Sequence, residues 1–221
     1  MKTETKETVK QKVCYYSQQL IPDGLTIGTG GNISARIPDS ERVAIKPSGI
    51  PYNTIRAEDI IIVDLNGNVV EGTHIPSSET PMHTMMYKEF PDIMAVVHTH
   101  SQYATAFSVI REPIPLVCNE GFGAGTTKVD VADYEIPGIK ALGDSVLRTL
   151  SKKPGSLAVL LANHGLLALG KSLEAAYSLA QNIEWEAKIY YLARTMGHPF
   201  QLSEEQLEQV VKHYAALRSK K

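Results

Sequence analysis

The chain has 221 residues, 43% of them apolar, and 22 Lys+Arg against 24 Asp+Glu give a formal net charge of −2 with histidine neutral. This balance excludes disorder as the main state, and the near-zero charge argues against wholesale nucleic-acid binding. Two cysteines, Cys14 and Cys118, exclude a disulfide scaffold. The charged N-terminus and the lack of any run of about 18 apolar residues predict no membrane partner and a cytoplasmic location.

The predicted elements alternate between helices and strands. Because they interleave without a change of composition, we predict a single α/β domain over residues 1–221. Ser77 or Ser78 is expected to cap the helix at 79–90, with Pro81 in its first turn. In chain order we predict a helix at 5–20, strands at 33–37, 42–45, 60–65 and 69–71, a helix at 79–90, a strand at 93–98, a short helix at 103–109, strands at 157–161 and 165–169, and helices at 172–196 and 203–217.

Three histidines stand where apolar strands become polar. His98 and His100, in VVHTHS, have the spacing at which a strand directs both side chains to one face. His164 interrupts the apolar run LLANHGLLAL, where a buried polar group has to be satisfied. Each histidine alone is also explained as a hydrogen-bonded core residue. Together they indicate a transition-metal site with one coordination position open.

A carboxylate and three polar loops accompany the histidines. Glu79 falls in the first turn of the helix at 79–90, where it either serves the site or only balances the helix dipole. The loops GTGGN (28–32), KPSG (46–49) and Ser77-Ser78 offer hydroxyls, backbone N–H groups and one ammonium suited to phosphate. None has the spacing of GxGxxG or a Walker A loop, so a nucleotide-binding fold is not predicted.

The order of these motifs resembles the class II aldolase family, which includes L-fuculose-1-phosphate aldolase, L-ribulose-5-phosphate 4-epimerase and the adducin head. The resemblance covers residues 8–215 and implies a three-layer α/β/α fold with a central, mainly antiparallel sheet. It also implies a homotetramer with active sites between subunits. The motifs are GTGGNIS (28–34), KPSG (46–49), PSSETPMH (76–83), HTHS (98–101) and NHG (163–165).

The same resemblance implies roles for single residues. Glu79 would be a resting metal ligand that can swing away to act as the catalytic base. The reaction would be a retro-aldol cleavage that yields dihydroxyacetone phosphate and an aldehyde through a metal-stabilised enediolate. A divalent metal, usually zinc, with manganese or cobalt as alternatives, would bind Glu79, His98, His100 and His164. The sugar phosphate would contact Thr29, Asn32, Lys46, Ser48, Gly49, Ser77 and Ser78.

Features of the aldolase and the epimerase are mixed. Lys46 and HTHS resemble the epimerase, whereas Glu79 stands where the epimerase usually has Asp. At CNEGFGAG (118–125) the epimerase's catalytic segment is not reproduced, and Glu120 is either an acid/base or a surface residue. Tyr214 resembles the aldolase's C-terminal tyrosine and is either a proton donor or a packed aromatic. We favour a sugar-phosphate aldolase over an epimerase, with a non-catalytic scaffold like the adducin head as a third alternative.

Overall fold

The structure, a computed structural model, describes residues 4–218 apart from the side chains at 122, 204, 211, 214, 215, 217 and 218. None of the helices in this part of the chain is both long and apolar enough to cross a bilayer. The helices are α1 (Lys6–Gln19), α2 (Thr80–Glu89), α3 (Gln102–Ile110), α4 (Lys140–Ser151), α5 (Leu173–Met196) and α6 (Glu204–Arg218), with 3-10 helices at Ala57–Asp59 and Gly121–Ala124. The strands are β1 (Asn32–Arg36), β2 (Arg42–Ile45), β3 (Ile61–Asp64), β4 (Val69–Glu71), β5 (Ala95–Thr99), β6 (Ile114–Pro115), β7 (Lys128–Val129), β8 (Val131–Ala132), β9 (Ala158–Leu161) and β10 (Gly165–Gly170).

Within the described residues, eight strands form one sheet in the order β4-β3-β2-β1-β5-β10-β9-β8. Its neighbouring strands run antiparallel except for the parallel pair β8–β9. Strands β6 and β7 pair separately. Strand β5 lies in the middle, where His98 is opposite Asn32 of β1 on one side and Leu167 of β10 on the other. The expected, mainly antiparallel central sheet is confirmed, and the first histidine lies at its centre.

Different helices cover the two faces of the sheet. Successive residues of β5 point to opposite faces, as the strand period of two requires. Val97 packs in a cluster with residues of α1, α3 and α5, whereas Val96 packs in a second cluster with residues of α2 and α4. The result is the three-layer α/β/α architecture that the family resemblance implied.

Most predicted elements are present within a few residues of their expected ends. The strands 42–45 and 69–71 have the predicted bounds, and the long helix differs from its prediction by one residue. Helix α4 was not predicted, although Leu142, Val146 and Leu150 recur every four residues and are buried. Strands β6, β7 and β8 were also missed, because two residues are too few to show a period.

The start of α2 differs from the expected serine cap. Neither Ser77 nor Ser78 occupies the N-cap position; Glu79 does, with φ −92° and ψ 10°, and no side chain among the described residues caps the first turn. Ser77 Oγ instead accepts a 3.3 Å hydrogen bond from the Glu79 N–H. Pro81 is in the first turn as predicted. Glu79 therefore precedes that turn rather than lying in it, because tertiary contacts of its carboxylate outweigh local capping.

Candidate active site

Three imidazoles converge at the end of β5. His98 is in this strand, His100 follows it by one residue, and His164 lies in the turn between β9 and β10. Their ring centroids are 4.7–4.9 Å apart, and the Nε2 atoms of His98 and His100 are 2.9 Å apart. One nitrogen from each of the three rings lies within 4.8 Å of the other two. The structure thus brings His164 beside His98 and His100, from which it is separated by more than sixty positions in the sequence.

Glu79 faces these rings from the start of α2. Its Oε2 lies 3.1 Å from His98 Nε2, and its Oε1 lies 3.4 Å from His164 Nε2. Asn32, expected among the phosphate contacts, donates from Nδ2 to Glu79 Oε2 at 2.8 Å. Burial acts to raise the pKa of the Glu79 carboxyl, but His98, His164 and the hydrogen bonds from His98 and Asn32 together hold it well below its usual range. The group is therefore an ionised carboxylate at neutral pH.

Two of the three imidazoles are held in the neutral form that binds metal. Burial lowers the pKa of His100 to about 3 and that of His164 to about 4, and the neighbouring His98 acts in the same direction. His98 Nδ1 lies 2.9 Å from the Leu166 carbonyl oxygen, which can only accept, so this nitrogen carries the proton. Burial acts to lower the pKa of His98, but Glu79 and the Leu166 carbonyl together raise it, so without a bound metal His98 Nε2 donates to Glu79. A cation bound here would take the place of that Nε2 proton.

The donor set fits a divalent cation. Glu79 Oε1 is buried and has no hydrogen-bond partner within the described part of the chain, although buried polar atoms are normally paired. Neutral imidazoles and one carboxylate are ligands for zinc, and manganese and cobalt accept such a set as well. The residues able to hold the ion are Glu79, His98, His100 and His164.

The three polar loops meet beside this cluster. The Ser48 N–H donates to the Ile75 carbonyl at 2.8 Å, and the Ser77 N–H donates to the Lys46 carbonyl at 3.1 Å, so the second and third loops run side by side. Lys46 Nζ reaches the first loop at the Thr29 carbonyl, 3.4 Å away. Of the predicted phosphate contacts here, Lys46 and Ser77 are buried and Thr29, Ser48, Gly49 and Ser78 are exposed.

Lys46 is a buried cation. Only 2% of the residue is exposed, and its Nζ lies 4.5 Å from the centroid of the Tyr52 ring. No described carboxylate forms an ion pair with it, and burial lowers its pKa to about 8. A buried ammonium without an acidic partner favours an anionic ligand, because such a ligand compensates its desolvation.

Two glycines of the first loop pack directly on the histidines. A Cβ on Gly30 would lie 2.6 Å from His100 Nδ1, and a Cβ on Gly31 would lie 2.7 Å from the His98 carbonyl oxygen. Gly31 also has a φ of +69°, which side chains disfavour. Only glycine therefore lets this loop approach so closely, and the loop and the histidine cluster form one continuous site.

Glu120 and Tyr214 are not joined to the histidine cluster by any described contact. Glu120 is exposed, and its carboxylate lies within 4.8 Å of the ligand atoms of Cys118 and Glu186. Glu186 already accepts hydrogen bonds from backbone N–H groups of 117–121, so it anchors this loop. The side chain of Tyr214 lies outside the described residues. The catalytic roles of Glu120 and Tyr214 stay predictions.

Tyr52 and His83 also lie at this site, although neither was predicted to belong to it. Tyr52 is buried and its hydroxyl lies 2.8 Å from the carbonyl oxygens of Gly30 and Gly31. His83 is fully buried one turn beyond Glu79 on α2, with Nδ1 2.7 Å from a serine hydroxyl of β1. His83 ends the motif PSSETPMH (76–83), but a histidine on a helix face is an ordinary packing residue, and no period or motif marks Tyr52. Only the fold therefore reveals these contacts.

The chain belongs to the family described as Class II Aldolase and Adducin N-terminal domain, which matches residues 11–191. This membership confirms the family that the motifs resembled, and the relatives below are enzymes of the aldolase and epimerase class. The prediction of an enzyme is thereby confirmed.

Three relatives illustrate the similarity. A 5-deoxy-D-ribulose 1-phosphate aldolase of Bacillus thuringiensis is 39% identical over 205 residues, which is 93% of this chain and 94% of that protein. A probable L-ribulose-5-phosphate 4-epimerase of Mycoplasma pneumoniae is 40% identical over 154 residues, 69% of this chain and 60% of that protein. The solved structure of an L-fuculose 1-phosphate aldolase matches with a TM-score of 0.90 and 39% identity, covering 97% of this chain and 100% of its own.

Proposed function

We propose that this chain is a metal-dependent aldolase that reversibly cleaves a ketose 1-phosphate into dihydroxyacetone phosphate and an aldehyde. The observation that carries the proposal is the adjacency of two sets of groups. The imidazoles with Glu79 suit a divalent cation, and the three polar loops with buried Lys46 suit a phosphate. The Gly30–Gly31 pair joins the two sets. A ketose 1-phosphate has its carbonyl one carbon away from the phosphate-bearing oxygen, so it can reach both.

The metal ligands would be Glu79, His98, His100 and His164, with zinc as the proposed ion and manganese or cobalt as alternatives. When bound, the cation would polarise the substrate carbonyl and stabilise the negative charge that develops on its oxygen. The neutral state of His100 and His164 supports this role, because a charged imidazolium cannot ligate.

The loops would orient the substrate. Lys46 supplies the positive charge, the hydroxyls of Thr29, Ser48, Ser77 and Ser78 donate hydrogen bonds, and the N–H of Gly49 adds a backbone donor. Asn32 would contribute through its second amide hydrogen, since the first is used by Glu79. Fixing the phosphate places the bond to be broken in a constant position relative to Glu79, which lowers the entropic part of the barrier.

Glu79 would transfer the proton to and from the hydroxymethyl carbon of dihydroxyacetone phosphate. In the direction of synthesis its carboxylate removes a proton from the hydroxymethyl carbon of dihydroxyacetone phosphate. In the direction of cleavage Glu79 takes up a proton from solvent and gives it to that carbon after the carbon–carbon bond has broken. A second group has to remove the proton from the hydroxyl of the departing aldehyde portion, and Tyr214 and Glu120 are the candidates.

Epimerisation of L-ribulose 5-phosphate is the second candidate function. Lys46 and HTHS, which resemble the epimerase, and the similarity to a probable epimerase favour it. Zinc-loaded protein should be incubated separately with L-fuculose 1-phosphate, 5-deoxy-D-ribulose 1-phosphate and L-ribulose 5-phosphate. Release of dihydroxyacetone phosphate from either 1-phosphate supports the aldolase. A C4 epimer formed from L-ribulose 5-phosphate, without such release, would favour the epimerase, and the absence of both reactions would reject both proposals.

The remaining expectations also stay proposals: a cytoplasmic protein, a single domain over 1–221, and a homotetramer with its sites between subunits. The half-exposed aromatic side chains of Trp185 and Tyr191 on α5 support a protein interface, since aromatic residues are enriched there. Light scattering of the purified protein tests the tetramer, and a monomer at micromolar concentration would reject it.

A further inference from the structure

One buried phenol holds two consecutive carbonyl groups of the first loop. Tyr52 is 1% exposed, and its hydroxyl lies 2.8 Å from the Gly30 carbonyl oxygen and 2.8 Å from the Gly31 carbonyl oxygen. Burial holds the pKa of the phenol above its usual range, so it stays a donor at neutral pH. The single hydroxyl hydrogen is shared between the two carbonyl oxygens, and both are fixed from one point.

The two glycines fixed in this way lie against the metal-site histidines, and Gly30 packs on the ring of His100 in particular. His98 is oriented by its hydrogen bond to the Leu166 carbonyl. The contacts of the described residues show no corresponding bond from His100 Nδ1, and Gly30 packs on this atom so closely that a Cβ would lie only 2.6 Å away. The orientation of the His100 ring therefore depends on where Gly30 is held.

The ring of Tyr52 supports the other half of the site. Lys46 Nζ lies 4.5 Å from the ring centroid, and the same ammonium is 3.4 Å from the carbonyl of Thr29, next to the glycine pair. The hydroxyl and the ring of one residue thus contact both the loop that packs on the histidines and the cation of the polar loops. Displacement of the loop would disturb both halves.

We propose that Tyr52 is a positioning residue, whose hydroxyl fixes Gly30 and Gly31 and through them sets the orientation of His100 and the shape of the phosphate loop. Its influence on phosphate rests on the proposed function. Its influence on metal affinity rests only on the packing of Gly30 against His100, and it can be measured whatever the substrate is.

The test is Tyr52→Phe, which keeps the ring under Lys46 and removes only the hydroxyl. We expect zinc affinity, measured by competition with a chromogenic chelator, to weaken about 10-fold or more, the range seen when residues that orient metal ligands are changed. Calorimetric affinity of the zinc-loaded protein for inorganic phosphate should weaken as well. Tyr15→Phe, at a tyrosine that is 56% exposed, is the matched control and should change neither affinity.

A purely structural role would give a different pattern. Tyr52→Phe would then lower the thermal midpoint but leave zinc affinity within twofold of the parent, and this result would overturn the proposal.

If Tyr52→Phe does not fold, Thr26→Val provides a second test. This substitution removes another hydrogen bond to the Gly30 carbonyl, 2.8 Å long, and should weaken zinc binding to a smaller extent. Unchanged zinc affinity in Thr26→Val would equally reject the proposal that the position of Gly30 sets the orientation of His100. If the parent protein binds zinc but cleaves no sugar phosphate, the proposed function is rejected. The zinc affinities of Tyr52→Phe and the parent still decide the role of Tyr52.

Discussion

Asn32 donates a 2.8 Å hydrogen bond to Glu79, joining the first residue of β1 to the residue that immediately precedes α2. Both side chains are buried, and the register of the sheet places Asn32 opposite His98. The amide therefore holds the carboxylate toward the imidazoles. This bond explains why the Glu79 side chain neither makes a capping hydrogen bond to its own helix nor faces solvent.

We predict that Asn32→Ala lowers kcat for sugar-phosphate cleavage about 10- to 100-fold, the usual effect of removing a group that orients a metal ligand. The carboxylate of Glu79 would lose a donor and move within the site. Steady-state kinetics at saturating zinc measure the effect. Asn53→Ala, at an exposed position, is the control. Equal kcat in the two variants would refute a positioning role for Asn32.

Removal of one imidazole should weaken metal binding and abolish catalysis. We predict that His98→Ala and His164→Ala each bind less zinc and lose catalytic activity, because one of the three imidazole ligands is missing. Zinc should raise the thermal midpoint of the parent protein, since a ligand that binds only the native state stabilises it. At the same zinc concentration it should raise the midpoint of either variant less. The control is His198→Ala, at an exposed histidine outside the cluster, which should bind zinc like the parent. If His98→Ala also binds zinc like the parent, the proposed metal site is wrong.

The convergence of the histidines was largely predictable, whereas the arrangement of the strands was not. The strand period of two places His98 and His100 on one face from local information alone. The position of β5 between β1 and β10 depends on pairings between segments far apart in the chain. Only the family resemblance could supply this arrangement, because hydrophobic periodicity does not report strand order.

The wrong prediction of a serine cap and the failure to predict the contacts of Tyr52 each have a physical cause. Ser77 and Ser78 satisfy the sequence rule for a helix cap, but contacts of Glu79 with Asn32 and His98 fix the chain at that point in another way. Tyr52 follows a proline in a turn, and its sequence neighbours do not show that its hydroxyl reaches a loop twenty residues earlier. Tertiary contacts decide both features, so a single sequence does not reveal them.

The base assigned to the reaction can be tested without cleavage. We predict that Glu79→Gln keeps part of its zinc affinity, because three imidazoles remain, but loses proton exchange at the hydroxymethyl carbon of dihydroxyacetone phosphate. Incorporation of solvent deuterium, followed by NMR, measures this step directly. Glu89→Gln, at an exposed position on α2, should exchange at the parent rate. Parent-like exchange in Glu79→Gln would show that another group removes the proton.

Lys46 should give the protein a characteristic pH dependence of stability. Burial lowers its pKa from 10.5 to about 8 in the folded chain. Between these values the unfolded chain binds a proton that the folded chain has released, so this residue's contribution to the free energy of unfolding increases as pH rises from about 8 to about 10.5. Urea unfolding at several pH values should therefore show the parent gaining stability relative to Lys46→Met over that interval. Parallel curves for the two proteins would contradict the lowered pKa.

The same titration should affect anion binding in the opposite sense. As Lys46 loses its proton above a pH of about 8, the loops lose their buried positive charge, and the affinity for inorganic phosphate should fall. Calorimetry between pH 7 and pH 9.5 measures this change in affinity. The control is Lys171→Met, at an exposed lysine, which should retain the parent's pH dependence. In Lys46→Met the affinity should be weaker at pH 7 and nearly independent of pH, because the titrating cation is absent. A decline in Lys46→Met as steep as in the parent would assign the pH dependence to another group and remove Lys46 from the phosphate site.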